Sequence, residues 1–132
     1  MKLQAMKLLI DTHLLLRAAA NTLPKKAIPY FLDNKNELYF SSASIWEVVI
    51  KKSLNRPYFQ VDPFKLYKGL LDNGYIELNI TSQHSLMVAD LPQFHKDPFD
   101  RILAAQAKAE GIMLLTTDNI LSEYSSTIFI EQ

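Results

Sequence analysis

The chain contains no cysteine. Neither a disulfide framework nor a thiolate metal site is therefore available to it, and the absence is compatible with a reducing, cytoplasmic compartment. An excess of one charge is missing too: 14 lysines and arginines face 14 aspartates and glutamates. This argues against a protein that holds nucleic acid by broad phosphate neutralisation, since such domains are usually basic. It does not exclude a site that holds a polyanion through bound cations, which reverse the local charge of an acidic cluster. No apolar run approaches the ~20 residues of a membrane span. The opening MKLQAMKLLID has one short apolar run ending at an aspartate, too short for a signal peptide. A second Met-Lys pair at Met6–Lys7 reads residues 1–5 as an alternative start or an appended remnant. There is no internal repeat, low-complexity stretch or linker. The 132 residues read as one domain, long enough to bury a core without staples.

What is present is an alternation of short apolar runs and helical periodicities. Lys7–Ile10 reads as a buried strand stopping at Asp11, with Thr12 capping a helix over 13–20. Pro24 opens a second helical stretch whose stripe is Ile28, Phe31 and Leu32. Leu38–Phe40 is a short strand, and Ser41, Ser42 and Ser44 are cap candidates for a helix running to about Leu54. Pro63 suits a first helical position, and that helix stops at Asn73–Gly74. Tyr75–Ile80 reads as a strand, and Thr81 caps a short helix to about Asp90. Asp97–Pro98 starts a strong helix that reaches Gly111. Ile112–Leu115 is an apolar strand, a short helix follows near 118–124, and Thr127–Ile130 closes the chain as a strand. Such alternation predicts an α/β sandwich with a mostly parallel sheet.

Ligands of open α/β sheets bind beyond the carboxyl ends of the strands. Asp11 and Asp118 fall at such ends, after Lys-Leu-Leu-Ile and Met-Leu-Leu-Thr-Thr. Each also suits a plain helix cap. Glu47 lies on a helix whose apolar face is Ile45, Val48 and Val49, widened by Trp46 and Ile50, and it points away from the centre of that face. Taken alone, a solvated i,i+4 pair with Lys51 is the simpler reading. In His95-Lys-Asp-Pro-Phe-Asp-Arg, Asp97 is a good N-cap and Asp100 falls in the first helical turn, where an acid suits the helix dipole. The alanine-rich continuation permits close approach to the sheet, which would hold Asp100 beside the strand ends. A hard divalent cation takes oxygen ligands, and magnesium uses few carboxylates directly while keeping several waters. Such an ion lowers the pKa of an attacking water and stabilises the leaving oxygen of a phosphodiester. Four acids without a cation repel one another, which raises some of their pKa values.

These segments together resemble a known family. Leu-Leu-Ile-Asp11-Thr-His, Ser-Ser-Ala-Ser-Ile-Trp-Glu47, Asp97-Pro-Phe-Asp100-Arg-Ile-Leu-Ala-Ala-Gln-Ala and Leu-Leu-Thr116-Thr-Asp118, in this order and spacing, look like the PIN-domain nucleases, specifically the VapC-type toxins of toxin–antitoxin pairs. The likeness runs from Met6 to about Ile130. It implies a three-layer α/β/α sandwich with a central parallel sheet, and a magnesium- or manganese-dependent endoribonuclease. It also implies a homodimer and a cognate antitoxin that blocks the nuclease. Asp11, Glu47, Asp100 and Asp118 become the acidic site. Asp11 and Asp100 are then metal ligands, Glu47 and Asp118 act directly or through water, Thr116 is a supporting hydroxyl, and Asp97 lies close enough to compete with Asp100.

Other residues carry two readings each. His13 and His95 flank the acids and could touch substrate phosphate, and Arg101 could bind a phosphate bidentately; packed or solvated side chains are the simpler alternative. The three histidines lack metal-ligand spacing, and His84 reads as a partly exposed helix residue. Trp46 reads as a core residue, with base stacking as the alternative. Tyr30–Phe31 and Tyr58–Phe59 place one ring of each pair in the core and the other on a partner surface. The Leu14-Leu15-Leu16 run is longer than one helix face needs, which suggests a groove for a partner helix. A receiver-type signalling domain fits poorly, because Asp11 is followed by Thr-His rather than a second acid and Glu131 stands after the last strand in place of a lysine. A non-catalytic α/β module and a DNA nuclease are the remaining alternatives.

Overall fold

The computed structural model describes residues 5–132; residues 1–4, on which most of the expected remnant falls, lie outside the described residues. Five strands are joined by helices in the order β1 (Lys7–Ile10), α1 (Thr12–Ala19), α2 (Ile28–Leu32), β2 (Glu37–Ser41), α3 (Ser42–Ser53), α4 (Pro63–Asp72), β3 (Ile76–Leu78), α5 (Ser82–Met87), α6 (Pro98–Glu110), β4 (Met113–Thr116) and β5 (Thr127–Phe129). Short 3-10 turns follow α5 at Val88–Asp90 and β4 at Leu121–Glu123. The strands form one all-parallel sheet in the order β3-β2-β1-β4-β5.

The expected elements are present, with ends shifted by local chemistry. Asp11, not Thr12, caps α1: its carboxylate accepts the Leu14 N–H at 2.8 Å. The stretch after Pro24 is a turn before it becomes a helix, so α2 starts at Ile28 with Pro29 in its first turn, where the missing N–H costs nothing. Ser41 ends β2 and caps α3 in the same residue, so strand passes into helix without a loop. Asp97 caps α6 and Gly111 ends it at φ +69°, a left-handed conformation that favours glycine.

Side chains alternate across each strand, and two cores result. Leu8, Ile10 and Leu115 point to one face, where Leu14, Leu15, Val48, Leu66 and Leu70 cover them. Leu9 and Leu114 point to the other, against Leu103, Ala104 and Ala107 of α6. The expected three-layer arrangement is thus observed, and the apolar strand runs reflect burial on both faces.

Two expectations fail here. His84 is not a partly exposed residue: it is 1% exposed. Its Nδ1 accepts the Thr81 N–H at 3.0 Å while its own N–H bonds the Thr81 hydroxyl, and its Nε2 meets Glu110 at 2.7 Å. The ring thereby closes the capping box of α5 and ties it to α6. The Leu14–Leu16 run does not form a partner groove: Leu14 and Leu15 are fully buried and Leu16 packs beside them. All three serve the protein's own interior. Tyr30 and Phe31 both pack against that core, whereas only Phe59 of the Tyr58–Phe59 pair does.

Candidate metal centre

The strand order places the site. Chain progression runs outward from β1 to β2 and β3, then returns across the sheet to β4 and β5. The crossovers leave β1 in opposite directions, so a crevice opens at the carboxyl ends of β1 and β4. Asp11 directly follows β1, and its N–H donates to the Leu115 carbonyl of β4 at 3.1 Å. Thr116 ends β4, and Asp118 lies two residues on.

Thr116 joins these two acids. Its hydroxyl donates to Asp11 Oδ2, and its oxygen accepts the Asp118 N–H at 3.0 Å. Asp11 is 3% exposed. Burial pushes its carboxyl above the ordinary range, against the Thr116 hydroxyl, the Leu14 and Thr117 N–H groups and the nearby His13. His13 itself is exposed at the start of α1.

Glu47 corrects the sequence reading. The buried face of α3 is Ser44, Glu47 and Val48, so this acid faces inward. The Ser44 hydroxyl, one turn earlier, bonds Thr12 at 2.8 Å, which draws that face of α3 against the start of α1. The Lys51 ammonium does stand 3.6 Å from Glu47 Oε2, but Oε1 is buried with no partner. Buried acceptors are rarely left unmatched, and a cation is the partner an ionised carboxylate oxygen suits.

Asp100 and Asp118 meet across His95. The ring Nε2 lies 3.1 Å from Asp100 Oδ2 and 3.0 Å from Asp118 Oδ2. Nδ1 accepts the Asp97 N–H at 3.1 Å, which leaves the ring proton of the neutral form on Nε2, facing the two carboxylates. Burial pushes Asp100 up to about 7; the neighbouring Asp97, Glu47 and Asp118 charges add to this, and His95 opposes it. Asp118 goes the other way. Its burial would raise it, but the His95 ring and the N–H groups of Ile120 and Leu121 hold its carboxyl below the ordinary range.

The structure thus links Asp11 to Asp118 through Thr116, and Asp118 to Asp100 through His95, with Glu47 close enough for its charge to bear on Asp100. His95, Asp100 and Asp118 are the three groups whose ligand atoms converge within 4.8 Å among the described residues. Carboxylate oxygens dominate the cluster, and such donors suit magnesium or manganese. The partnerless Glu47 oxygen and the raised Asp100 are both what an acidic cluster built around a cation would show when considered without it.

Arg101 does not serve as a free phosphate clamp. Its guanidinium donates inward to the carbonyls of Pro92, His95 and Val88 and to the Tyr124 hydroxyl, at 3.0–3.3 Å. It fixes the loop that carries His95. His95 is likewise engaged by the two carboxylates rather than directed at solvent. Asp97 caps α6, its Oδ1 accepting the Phe99 N–H, and its charge bears on the neighbouring Asp100. Trp46 is not a core residue: it is 60% exposed and packs edge-to-face on Phe99, ring centroids 5.1 Å apart. Sequence reasoning passed over Phe99, although both rings carry one signal: each directly precedes an acid of the cluster.

A crevice at the switch point of a parallel α/β sheet, rimmed by acids from four separated segments, defines a candidate metal-binding domain of doubly wound type. The PIN domain family model matches residues 8–126, and the chain belongs to that family. No curated protein matches it in sequence. Solved structures share its fold. The VapBC2 structure from Rickettsia felis, bound to a DNA fragment from its promoter, matches at 15% identity and a TM-score of 0.71, covering 95% of this chain and 98% of that one. DNA-bound VapBC from Salmonella typhimurium matches at 17% and 0.66, covering 96% and 97%. A toxin–antitoxin complex from Klebsiella pneumoniae matches at 17% and 0.60, covering 91% and 94%.

Proposed function

We propose that this PIN domain is a metal-dependent endoribonuclease, the toxin of a VapC-type toxin–antitoxin pair, using magnesium or manganese. The observation that supports the reading is that Asp100 and Asp118 meet at His95 with the Glu47 charge bearing on Asp100, that Thr116 ties Asp11 to Asp118, and that a buried Glu47 oxygen is left unpartnered. The structural likeness to VapBC and toxin–antitoxin assemblies supports a cognate antitoxin as partner. The same family resemblance supports a homodimer in the cytoplasm. Among the described residues no helix is long and apolar enough to cross a membrane.

In this reading Asp11 and Asp100 hold the ion, and Glu47 and Asp118 act directly or through water. When bound, the ion supplies a Lewis acid that lowers the pKa of the attacking water and offsets charge on the phosphodiester. The protein's own part is positioning. Thr116 fixes Asp11 against Asp118. His95, carried on the loop that Arg101 clamps, fixes Asp118 against Asp100.

The test is cleavage of a structured RNA by the purified chain, free of antitoxin, with manganese. Discrete cuts are expected that disappear in EDTA and in Asp11→Asn. Cuts that survive both controls would leave the site without support, and a folded, metal-saturated protein that never cuts RNA would return weight to a binding module. A matched DNA strand distinguishes an RNA-specific enzyme, because only RNA offers the 2′-hydroxyl.

A further inference from the structure

We propose that Trp46 and Phe99 form a stacking ledge for an unpaired base of the RNA strand beside the acidic centre; this rests on the nuclease reading above. Trp46 directly precedes Glu47 on α3, and Phe99 directly precedes Asp100 on α6. The two helices pack together, so the aromatic pair meets one step back from where the acids meet. The rings lie at 68° to one another. An edge-to-face pair uses one face of one ring, which leaves another aromatic face open to a base.

Burial separates the two neighbours on α3. Glu47 is 8% exposed, whereas Trp46 is 60% exposed. The chain therefore keeps a large indole in solvent at the rim of a buried charge, where tryptophan is seldom left without a partner surface.

The place of the pair beside the acidic centre, taken with the charge balance, selects the occupant. The chain carries no net charge, so broad phosphate neutralisation is not its main hold on a polyanion. Two cations that flank the acids in sequence are already engaged: Lys51 with Glu47 and Arg101 with buried carbonyls. A neutral contact that still recognises nucleic acid is base stacking, which tolerates any sequence because each base has a π-face. A strand stacked here would have its backbone at the acidic crevice.

Trp46 is the only tryptophan in the chain, so its emission reports on the ledge alone. The full-length Asp11→Asn protein in magnesium is titrated with a short single-stranded oligoadenylate carrying a distal label. Saturable quenching of Trp46 is expected, and an abasic strand of the same length should not quench. By label anisotropy, Trp46→Ala should weaken binding about 5- to 100-fold, as loss of one stacked base does, and Trp46→Phe should weaken it less. Phe99→Ala gives an independent variant should either substitution disturb the fold. RNA binding with unchanged emission and unchanged affinity in Trp46→Ala would overturn the proposal. So would a Trp46→Ala that converts a dimer to a monomer while RNA affinity per protomer holds, which would assign the ledge to a seam between copies. Metal-dependent cleavage by the wild type with a silent Trp46 rejects the ledge alone; a wild type that neither binds nor cuts RNA rejects the nuclease reading with it.

Discussion

The acidic cluster should make the metal-free protein less stable as pH rises, and Asp100→Asn should remove that loss. Asp100 titrates at about 7 in the folded protein against a usual 3.8, so between these values the folded form binds the extra proton. The Asp100 contribution to stability is then greatest below about pH 4, declines as pH rises toward 7, and levels off above it. A shift of about 3 units at 1.36 kcal/mol each sets an upper bound near 4 kcal/mol. The side chain is 19% exposed, and solvent screening reduces the effect, so roughly 2–4 kcal/mol is the expected size. Asparagine keeps the shape, and its carbonyl oxygen can still accept from His95. Urea unfolding in EDTA should therefore find Asp100→Asn more stable than wild type by that amount at pH 8, the two converging near pH 4. Asp11, also raised by burial, tilts both proteins in the same direction and drops out of the comparison. Magnesium or manganese at 100 times its Kd should return about 2.7 kcal/mol to the wild type and less to the variant. Wild-type stability that is flat or rising between pH 4 and 7, or an Asp100→Asn protein no more stable at pH 8, would refute the electrostatic account.

Two further substitutions and one spectroscopic measurement probe the supports of the site. Arg101→Lys should cost about 2–4 kcal/mol in urea unfolding, because one ammonium cannot reach the carbonyls and hydroxyl that the guanidinium spans; a loss under about 0.5 kcal/mol would contradict the inward clamp. Thr116→Val removes both the donor to Asp11 and the acceptor for the Asp118 N–H, so manganese affinity measured by calorimetry should fall about 10- to 100-fold, and an unchanged affinity would remove Thr116 from the site. Nitrogen-15 NMR of the neutral His95 ring in EDTA should show the proton on Nε2; a proton on Nδ1 would contradict the bond from the Asp97 N–H.

The sequence determined more of the backbone than of the side-chain environments. Apolar runs of four residues, the capping residues Asp97 and Thr81 and the stop at Gly111 are local signals, so the α/β alternation and nearly all element positions could be read in advance. Asp11 and Asp118 were legible for the same reason, since an acid within two residues of the end of a buried strand marks the sheet rim. Glu47, His84, Arg101 and Trp46 were not, because helix periodicity gives the angle between side chains and not the surface each one meets. The local pattern set Glu47 outside the apolar face of α3. Only the packing of that helix on α6, and of Ser44 on Thr12, turned Glu47 inward and left Trp46 in solvent. Arg101 likewise depends on the loop and on Tyr124, 23 residues away, whose oxygens its guanidinium fills. Contacts between distant segments decide burial, and burial decides which acids are strained enough to call for a cation.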